Sequence, residues 1–273
     1  MKLRSLCNLR KYFTLVRGGL LEALQWRASI FIQLIGNIIY LIIVYNLWQA
    51  IYASSPDETV NGMTFTDTML YLVLAMTIFN MLSTWTVWMM SNEIRDGSII
   101  LTLIRPMEYR TYTFFNVLGG DAVTLFMLFL PTFVIVSLIT NFAVPIGVNL
   151  LWFIPALIFA RMISFYIDFF VGTVCLYTES TWGVDMAKEV LILLMSGAVI
   201  PLAFFPDWLR TIAEFLPFQA IYNIPLKILL GRATTLRELL TMLGVQLFWV
   251  AFLYIASGLF WRKSVKIITV NGG

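Results

Sequence analysis

The sequence predicts an all-α, polytopic integral membrane protein: six transmembrane helices, an N-terminal amphipathic helix at the membrane interface, and re-entrant outer helices between spans five and six. Three observations predict it. Hydrophobic residues make up 60% of the 273 and charged residues 12%, against about 45–50% and about 25% in an ordinary soluble domain. Such a chain cannot cover its own surface with polar groups unless lipid is the solvent. Charge-free apolar runs recur along its length, and six to seven crossings of about 20 residues each would use roughly half of it. The basic residues sit near the ends of those runs. Residues 1–273 therefore read as a single transmembrane domain without room for a second, soluble one.

The elements follow in order. Residues 1–27 carry Lys2, Arg4, Arg10, Lys11, Arg17 and Arg27 against one acid, Glu22. Phe13, Val16, Leu20 and Leu24 recur at helical spacing, which predicts an amphipathic helix on the inner membrane surface; a flexible basic lead-in is the alternative. The charged stretch and the apolar run after it are too long for a cleavable signal peptide. Span one is 28–47 and a little beyond, with no charge until Asp57, and residues 54–58 form a polar, acidic turn. Span two is 68–91, bounded by Asp67 and Glu93; a polar insert, 93–110, follows, and then span three, 113–138. Residues 141–149, with Pro145 and Gly147, read as a tight turn before span four at 150–176.

Span five is the shortest. Only 190–206 is free of charge, and it contains Gly197 and Pro201; the segment starts as early as Trp182 or stays a short span. Residues 207–237 are apolar pieces broken by Pro217, Pro225 and Gly231. They are too apolar for a solvated loop and too interrupted for a spanning helix. A pair of short helices dipping into the outer leaflet fits, with the non-helical backbone shielded by protein. Span six, 239–261, ends in Arg262, Lys263 and Lys266.

Six spans put both termini on one side. With that side cytoplasmic, 13 basic residues (Arg95, Arg105, Arg110 and Lys188 among them) lie inside, and 4 lie outside: Arg210, Lys227, Arg232 and Arg237. The excess agrees with the positive-inside rule. Trp88, Trp152, Trp208 and Trp261 fall near predicted interfaces, where amphipathic rings gather.

Several chemistries are excluded. The chain has no histidine, so imidazole catalysis, haem ligation and the usual zinc sites are absent. It has no GxxxxGK[ST], no GxSxG and no Gly-rich dinucleotide fingerprint. It shows no basic patch of the kind that binds nucleic acid. Cys7 and Cys175 are far apart and read as free thiols. No catalytic residue and no metal ligand set is assigned. Asp121 and Asp168 are the acids that fall within spans, on different helices. Arg161 and Asp168 are seven residues apart in span four, on one helix face about two turns apart. Charges inside a membrane face a cavity or a partner, so these two either line a transport path or are neutralised by neighbouring helices. Polar side chains on spans one and two, Gln33, Asn37, Asn46, Asn80 and Thr84, with Trp85 beside them, are candidate contacts of a path; hydrogen bonding between helices is their other use.

The most informative stretch is 93–106, Glu93-Ile-Arg-Asp-Gly-Ser-Ile-Ile-Leu-Thr-Leu-Ile-Arg-Pro106. Asp96 or Ser98 can cap a short helix, and Pro106 ends it. Ile100, Leu103, Ile104 and Met107 fall on one face, flanked by Arg95 and Arg105. A bland loop has no need of an apolar face; a helix docking into a partner's groove does, and a surface-lying helix with no partner is the alternative.

Glu93-Ile-Arg-Asp-Gly-Ser-Ile and Leu103-Ile-Arg-Pro106 after span two resemble the first cytoplasmic loop of type 2 ATP-binding-cassette (ABC) exporter membrane subunits. Pro201-Leu-Ala-Phe-Phe-Pro-Asp-Trp-Leu-Arg210, Leu216-Pro-Phe218 and Ile224-Pro225 with Gly231 resemble the outer segment of the same family. The resemblance implies that 93–106 is a coupling helix seated on an ATPase, with Glu93, Arg95, Asp96, Gly97, Ile100, Leu103, Ile104, Arg105 and Pro106 carrying the contact, and that 207–237 is a pair of re-entrant helices. It implies two copies of a separate P-loop ATPase subunit, which would bind Mg-ATP, no cofactor on this chain, and a second six-span permease, identical or related. It places the chain in a bacterial cytoplasmic membrane. A hydrophobic or amphipathic drug or peptide is the expected substrate, which Phe31, Phe79, Trp85 and Trp88 suit, although aromatic residues also simply pack. An integral-membrane enzyme acting on lipid, which needs paired acids, and a passive channel, which needs no docking helix, are the competing classes.

Overall fold

The computed structural model describes residues 2–25, 27–56, 58–83, 85–139, 147–178, 181–232 and 235–267. The chain runs through α1 (Lys2–Gln25) and α2 (Arg27–Ala53) into a two-residue-per-strand hairpin, β1 (Thr59–Val60) against β2 (Met63–Thr64). Asn61 and Gly62 turn it with φ of 51° and 76°, the positive pair that a two-residue hairpin loop requires. Next come α3 (Phe65–Leu82), α4 (Thr86–Arg95), α5 (Ile99–Leu103) and α6 (Tyr109–Thr124). A π-helical turn, Leu125–Phe129, continues α6 into α7 (Leu130–Ile139). The rest is α8 (Val148–Val174), α9 (Trp182–Met195), α10 (Asp207–Phe215), α11 (Asn223–Leu229) and α12 (Leu236–Ser264). A capping box opens α3: Asp67 N–H donates to Thr64 Oγ1 at 3.1 Å and Thr64 N–H to Asp67 Oδ2 at 3.3 Å, satisfying two of the helix's orphan donors.

Among the described residues five helical stretches are long and apolar enough to cross a membrane: Ile35–Ala53, Phe65–Arg95, Tyr109–Ile135, Val148–Val174 and Leu236–Ile267. The crossing expected at 190–206 does not form as one helix. Helix α9 has 14 residues, roughly 21 Å at the α-helical rise, short of the ~30 Å hydrocarbon core. The chain bends from Ser196 to Ile200, around Gly197 and just before Pro201. Residues 207–237 hold two short helices, α10 and α11, separated by a 3₁₀ turn at Pro217–Ala220. Helix α11 is almost wholly buried and packs on α8 and α3. The fully buried Gln246 of α12 ties this region together by donating to Ala156 O (3.0 Å) and Ala220 O (2.8 Å).

Helices α3 and α8 form the centre. Leu72, Leu74, Ile78 and Leu82 on α3 and Ala156, Ala160, Ile163, Phe165 and Phe169 on α8 are fully buried. Helices α2 and α12 instead present apolar stripes outward, Ile35, Ile38, Ile39, Ile42 and Ile43 on the first, Leu247, Phe252, Ile255 and Leu259 on the second. An apolar stripe of that length facing out is what a hydrocarbon solvent permits.

Helix α1 lies along α6. The two backbones approach at glycines: a Cβ on Gly19 would run into the Asn116 carbonyl, and one on Gly119 into the Val16 carbonyl and Leu20 amide. Tyr12 stacks near Phe115, ring centroids 4.4 Å apart. The side of α1 packed on α6 therefore centres on Gly19 with Tyr12, Val16 and Leu20, while Phe13 faces outward. The apolar spacing marks a helix but does not reveal that its seam is made of small residues. Gly119→Leu is expected to lift α1 off α6 and lower stability by about 1–3 kcal/mol, read as a lower unfolding temperature in detergent. Gly120→Ala, whose Cβ would meet Ala23 at 4.0 Å, is expected to change neither.

Candidate functional site

Two arrangements concentrate the polar chemistry: the 93–106 segment and a set of charges buried between helices. The segment begins where α4 ends. Asp96 caps α4, Gly97 turns the chain with φ of 76°, and Asp96 Oδ1 accepts from Ser98 N–H at 2.9 Å. Hydrogen bonds from Ser98, side chain and backbone, hold the Asp96 carboxyl below its ordinary pKa, so the turn keeps its anionic acceptor at physiological pH. Helix α5 follows and ends at Leu103, before Pro106 is reached. Ile99 is 1% exposed and Thr102 is buried, while Ile100 and Leu103 pack against the core. Leu101 and Ile104 are 64% and 74% exposed, and Arg105 beside them is exposed as well. The expected face of Ile100, Leu103, Ile104 and Met107 is thus divided. Ile100 and Leu103 point inward as anchors, and the outward pair is Leu101 with Ile104. The 3,4,7 spacing describes a longer helix than five residues can make. Arg95 Nη2 donates to Asn92 Oδ1, and the Arg105 guanidinium sits 4.6 Å from the Tyr112 ring centroid, so both cations are oriented.

The segment is wired to the helices behind it. Tyr109 O–H donates to Glu93 Oε2 at 2.7 Å, and the buried Tyr109 ring stacks on Trp261 of α12 at 4.9 Å and 13°. Arg110, read from sequence as a solvated flanking charge, is buried; its Nη1 donates to Tyr254 O at 2.7 Å and its guanidinium lies 4.0 Å from the Tyr254 ring centroid. Trp261 is buried in this stack and is not an interface anchor. Thr181 Oγ1 donates to Ser91 Oγ at 2.8 Å, joining the start of α9 to α4. Residues 93–106 are thus joined to α12 through Glu93 and Tyr109, and α4 just before them is joined to α9 through Ser91. Tyr109→Phe removes one hydrogen bond and keeps the stack. It is expected to lower stability by about 1 kcal/mol, measured as a fall in unfolding temperature, with Glu93→Gln giving a smaller fall because the amide oxygen still accepts.

The buried charges do not pair with each other along α8. Arg161 Nε lies 2.7 Å from Asp121 Oδ2 of α6, and Asp168 Oδ1 lies 2.7 Å from Lys188 Nζ of α9. Lys188 is 6% exposed and also reaches Asp185 at 2.8 Å and Glu189 at 2.9 Å; it is not a charge flanking a span in solvent. Arg161 Nη1 also donates to Leu82 O at 2.8 Å, and Ser164 Oγ to the same oxygen at 3.4 Å. Leu82 is the last residue of α3, where helix carbonyls lose their partners. Arg161 thus closes the C-terminal end of α3 at the break before α4 and neutralises Asp121 in the same place. Sequence spacing could place Arg161 and Asp168 on one helix face but not choose their partners.

Of the candidate path residues, Gln33, Asn37 and Asn80 come together. Gln33 Nε2 donates to Asn80 Oδ1 (3.2 Å), and Asn80 Nδ2 to Asn37 Oδ1 (2.9 Å). The three clasp α2 to α3. Asn46 does not join them; it donates to Ile42 O in its own helix at 2.7 Å. Trp85 is 77% exposed, edge-on to Trp88 at 6.0 Å. Thr84 lies outside the described residues. Cys175 is a buried free thiol. Among the described residues no three Cys, Asp or Glu side chains converge as metal ligands would. What the two arrangements provide is a hydrogen-bonded connection between an exposed two-residue apolar tip and a set of ion-paired helices.

Residues 31–272 match the family described as ABC-2 family transporter protein. No curated protein matches the chain.

Proposed function

The chain belongs to the ABC-2 transporter family, and from that premise we propose that it is the permease subunit of an ATP-driven exporter, coupled through residues 93–106 to a separate ATPase. The observation that carries this reading is the α5 tip. Leu101 and Ile104 stand exposed on a helix whose other residues are packed against the core, with Arg105 fixed over Tyr112 beside them. Two apolar side chains projected from a rigid base match a groove in a partner, and the rigidity is what transmits force. Closure of the ATPases on nucleotide pushes α5; Glu93 and Tyr109 pass the displacement to α12, and Ser91 and Thr181 pass it to α9. The coupled element must make different contacts in two states, and the break between α3 and α4, closed by Arg161, is the hinge assigned to that role.

In this reading Glu93, Arg95, Asp96, Gly97 and Pro106 shape the knob, Ile100 and Leu103 anchor it, and Leu101, Ile104 and Arg105 make the contact. A second permease subunit completes the path. The substrate is a hydrophobic or amphipathic drug or peptide, and Gln33, Asn37 and Asn80 serve by holding α2 to α3. The 93–106 end lies in the cytoplasm of a bacterial cell and 207–237 at the outer leaflet. Each acid that a lipid-modifying enzyme would need, Asp121 and Asp168, is engaged by a cation, which favours the transporter over that alternative. Affinity purification of the chain from its native membrane tests the proposal. Recovery of a P-loop ATPase, with ATP hydrolysis that responds to candidate substrates, is expected. Recovery of the chain without any nucleotide-hydrolysing subunit would remove the proposal.

A further inference from the structure

At the end of the bundle opposite residues 93–106 is a cavity of about 160 Å³, whose polar lining is Tyr71, Arg210, Glu214, Asn223, Lys227 and Arg232. It lies where the first turns of α3 meet α10 and α11. Its charge is unbalanced. Arg210 is paired with Glu214 at 3.1 Å and Arg232 with Asp67 at 3.7 Å. Lys227 is half-buried on α11, and no carboxylate among the described residues stands within ion-pair distance of it. A second feature is independent of the charges. Tyr71 is 4% exposed, and its hydroxyl, sealed from solvent, has no hydrogen-bond partner. A buried phenol usually finds one, and leaving it without one costs about 1–3 kcal/mol. Asn223, 2% exposed, stands on the same wall and donates to Gln219 at 3.3 Å.

We propose that this cavity is a binding site for a phosphate group, either the headgroup phosphate of a membrane lipid or free phosphate. Two guanidinium forks and an ammonium are the donor set that recognises phosphate, and Tyr71, lining the same cavity, carries the unpartnered hydroxyl that turns to a ligand oxygen. The two guanidinia exchange part of their contact with Glu214 and Asp67 for the ligand, while Lys227 gains an anion within ion-pair distance. Size decides against a whole drug-like molecule, since such ligands occupy pockets of about 300–1,000 Å³. The site stands apart from the coupling segment and needs no assumption about the exported compound.

The test uses the 273-residue chain in a maltoside micelle, which contains no phosphate. Its unfolding temperature is followed while inorganic phosphate or short-chain phosphatidylglycerol is added, against sodium chloride of equal ionic strength and a diacylglycerol of the same acyl length. A saturable rise is expected. Lys227→Gln and Tyr71→Phe are expected to weaken the apparent affinity about tenfold or more, and Lys227→Arg to retain it. Tyr71→Phe deletes only an oxygen without a partner, so its fold without ligand is expected to be intact. A rise with phosphatidylglycerol alone assigns the lipid headgroup; a rise with both probes, or with inorganic phosphate alone, assigns free phosphate as sufficient. No rise with either, an equal rise from salt or diacylglycerol, or a rise undiminished in both variants overturns the proposal. None of these outcomes bears on ATPase coupling, which is read separately.

Discussion

Replacing Leu101 and Ile104 together by Asp is expected to abolish transport while leaving the chain folded and inserted. Both side chains are exposed, so the substitution removes no core packing, and new charge there is solvated in the isolated subunit. In the assembled transporter the same charges would be forced into an apolar groove. Central apolar anchors of an interface are each worth about 2 kcal/mol or more, so affinity for the ATPase should fall by roughly tenfold per anchor or more. Co-purification with the ATPase and substrate-stimulated ATP hydrolysis would both drop, and the ATPase's basal rate would persist. Leu103→Asp gives a different result. That side chain packs against the core, and burying an unpaired carboxylate destabilises the fold itself, seen as lower yield and a lower unfolding temperature before any partner is added. Wild-type coupling in the Leu101/Ile104 double variant would sink the docking assignment.

The second large effect is at Arg161. Arg161→Leu leaves Asp121 buried opposite an apolar chain and removes a donor from the Leu82 carbonyl. Breaking a buried ion pair from one side costs about 3–5 kcal/mol, and losing the Arg161 donor, which leaves the Leu82 carbonyl only Ser164 at 3.4 Å, about 1 kcal/mol more. A loss of that order is expected to prevent recovery of folded protein at physiological temperature. Arg161→Leu with Asp121→Leu should recover the ion-pair part, because two apolar side chains often replace a buried pair with little loss; the Leu82 part should remain. The cycle is measured as unfolding free energy in detergent. Additive losses in the double variant would show that the two residues do not act as a pair. Full recovery would show that Arg161 has no role at the end of α3.

How far the sequence reveals these features differs from residue to residue. A span is a sum over about 20 neighbouring side chains, so the apolar runs at 28–47, 68–91, 113–138, 150–176 and 239–261 announce themselves locally, even where Asp121, Arg161 and Asp168 interrupt them. The short α9 is also announced, by Gly197 and Pro201 within an otherwise apolar run. Partners are a tertiary property. Seven-residue spacing aligns Arg161 with Asp168, yet the energy is decided by Asp121 and Lys188 on other helices. The cluster Asp185, Lys188, Glu189 was a usable hint, since a lysine amid acids at the end of an apolar run is poorly described as a flanking charge. Leu101 is missed because a five-residue helix has too few repeats for periodicity to fix its face. Asn61-Gly62 is a hairpin signal in the sequence, set beside an acidic stretch that reads as a plain polar turn.

The central claim is that residues 93–106 are seated on an ATPase. The most direct measurement places a photoreactive side chain at Ile104, and in a parallel sample at Trp208 on α10, and irradiates the intact complex in its native membrane. The account predicts a cross-link to the ATPase from Ile104, its yield changing between nucleotide-free and ATP-bound states, and none from Trp208. A cross-link to the ATPase from Trp208, or none from Ile104 in a complex that is hydrolysing ATP and transporting, would contradict it.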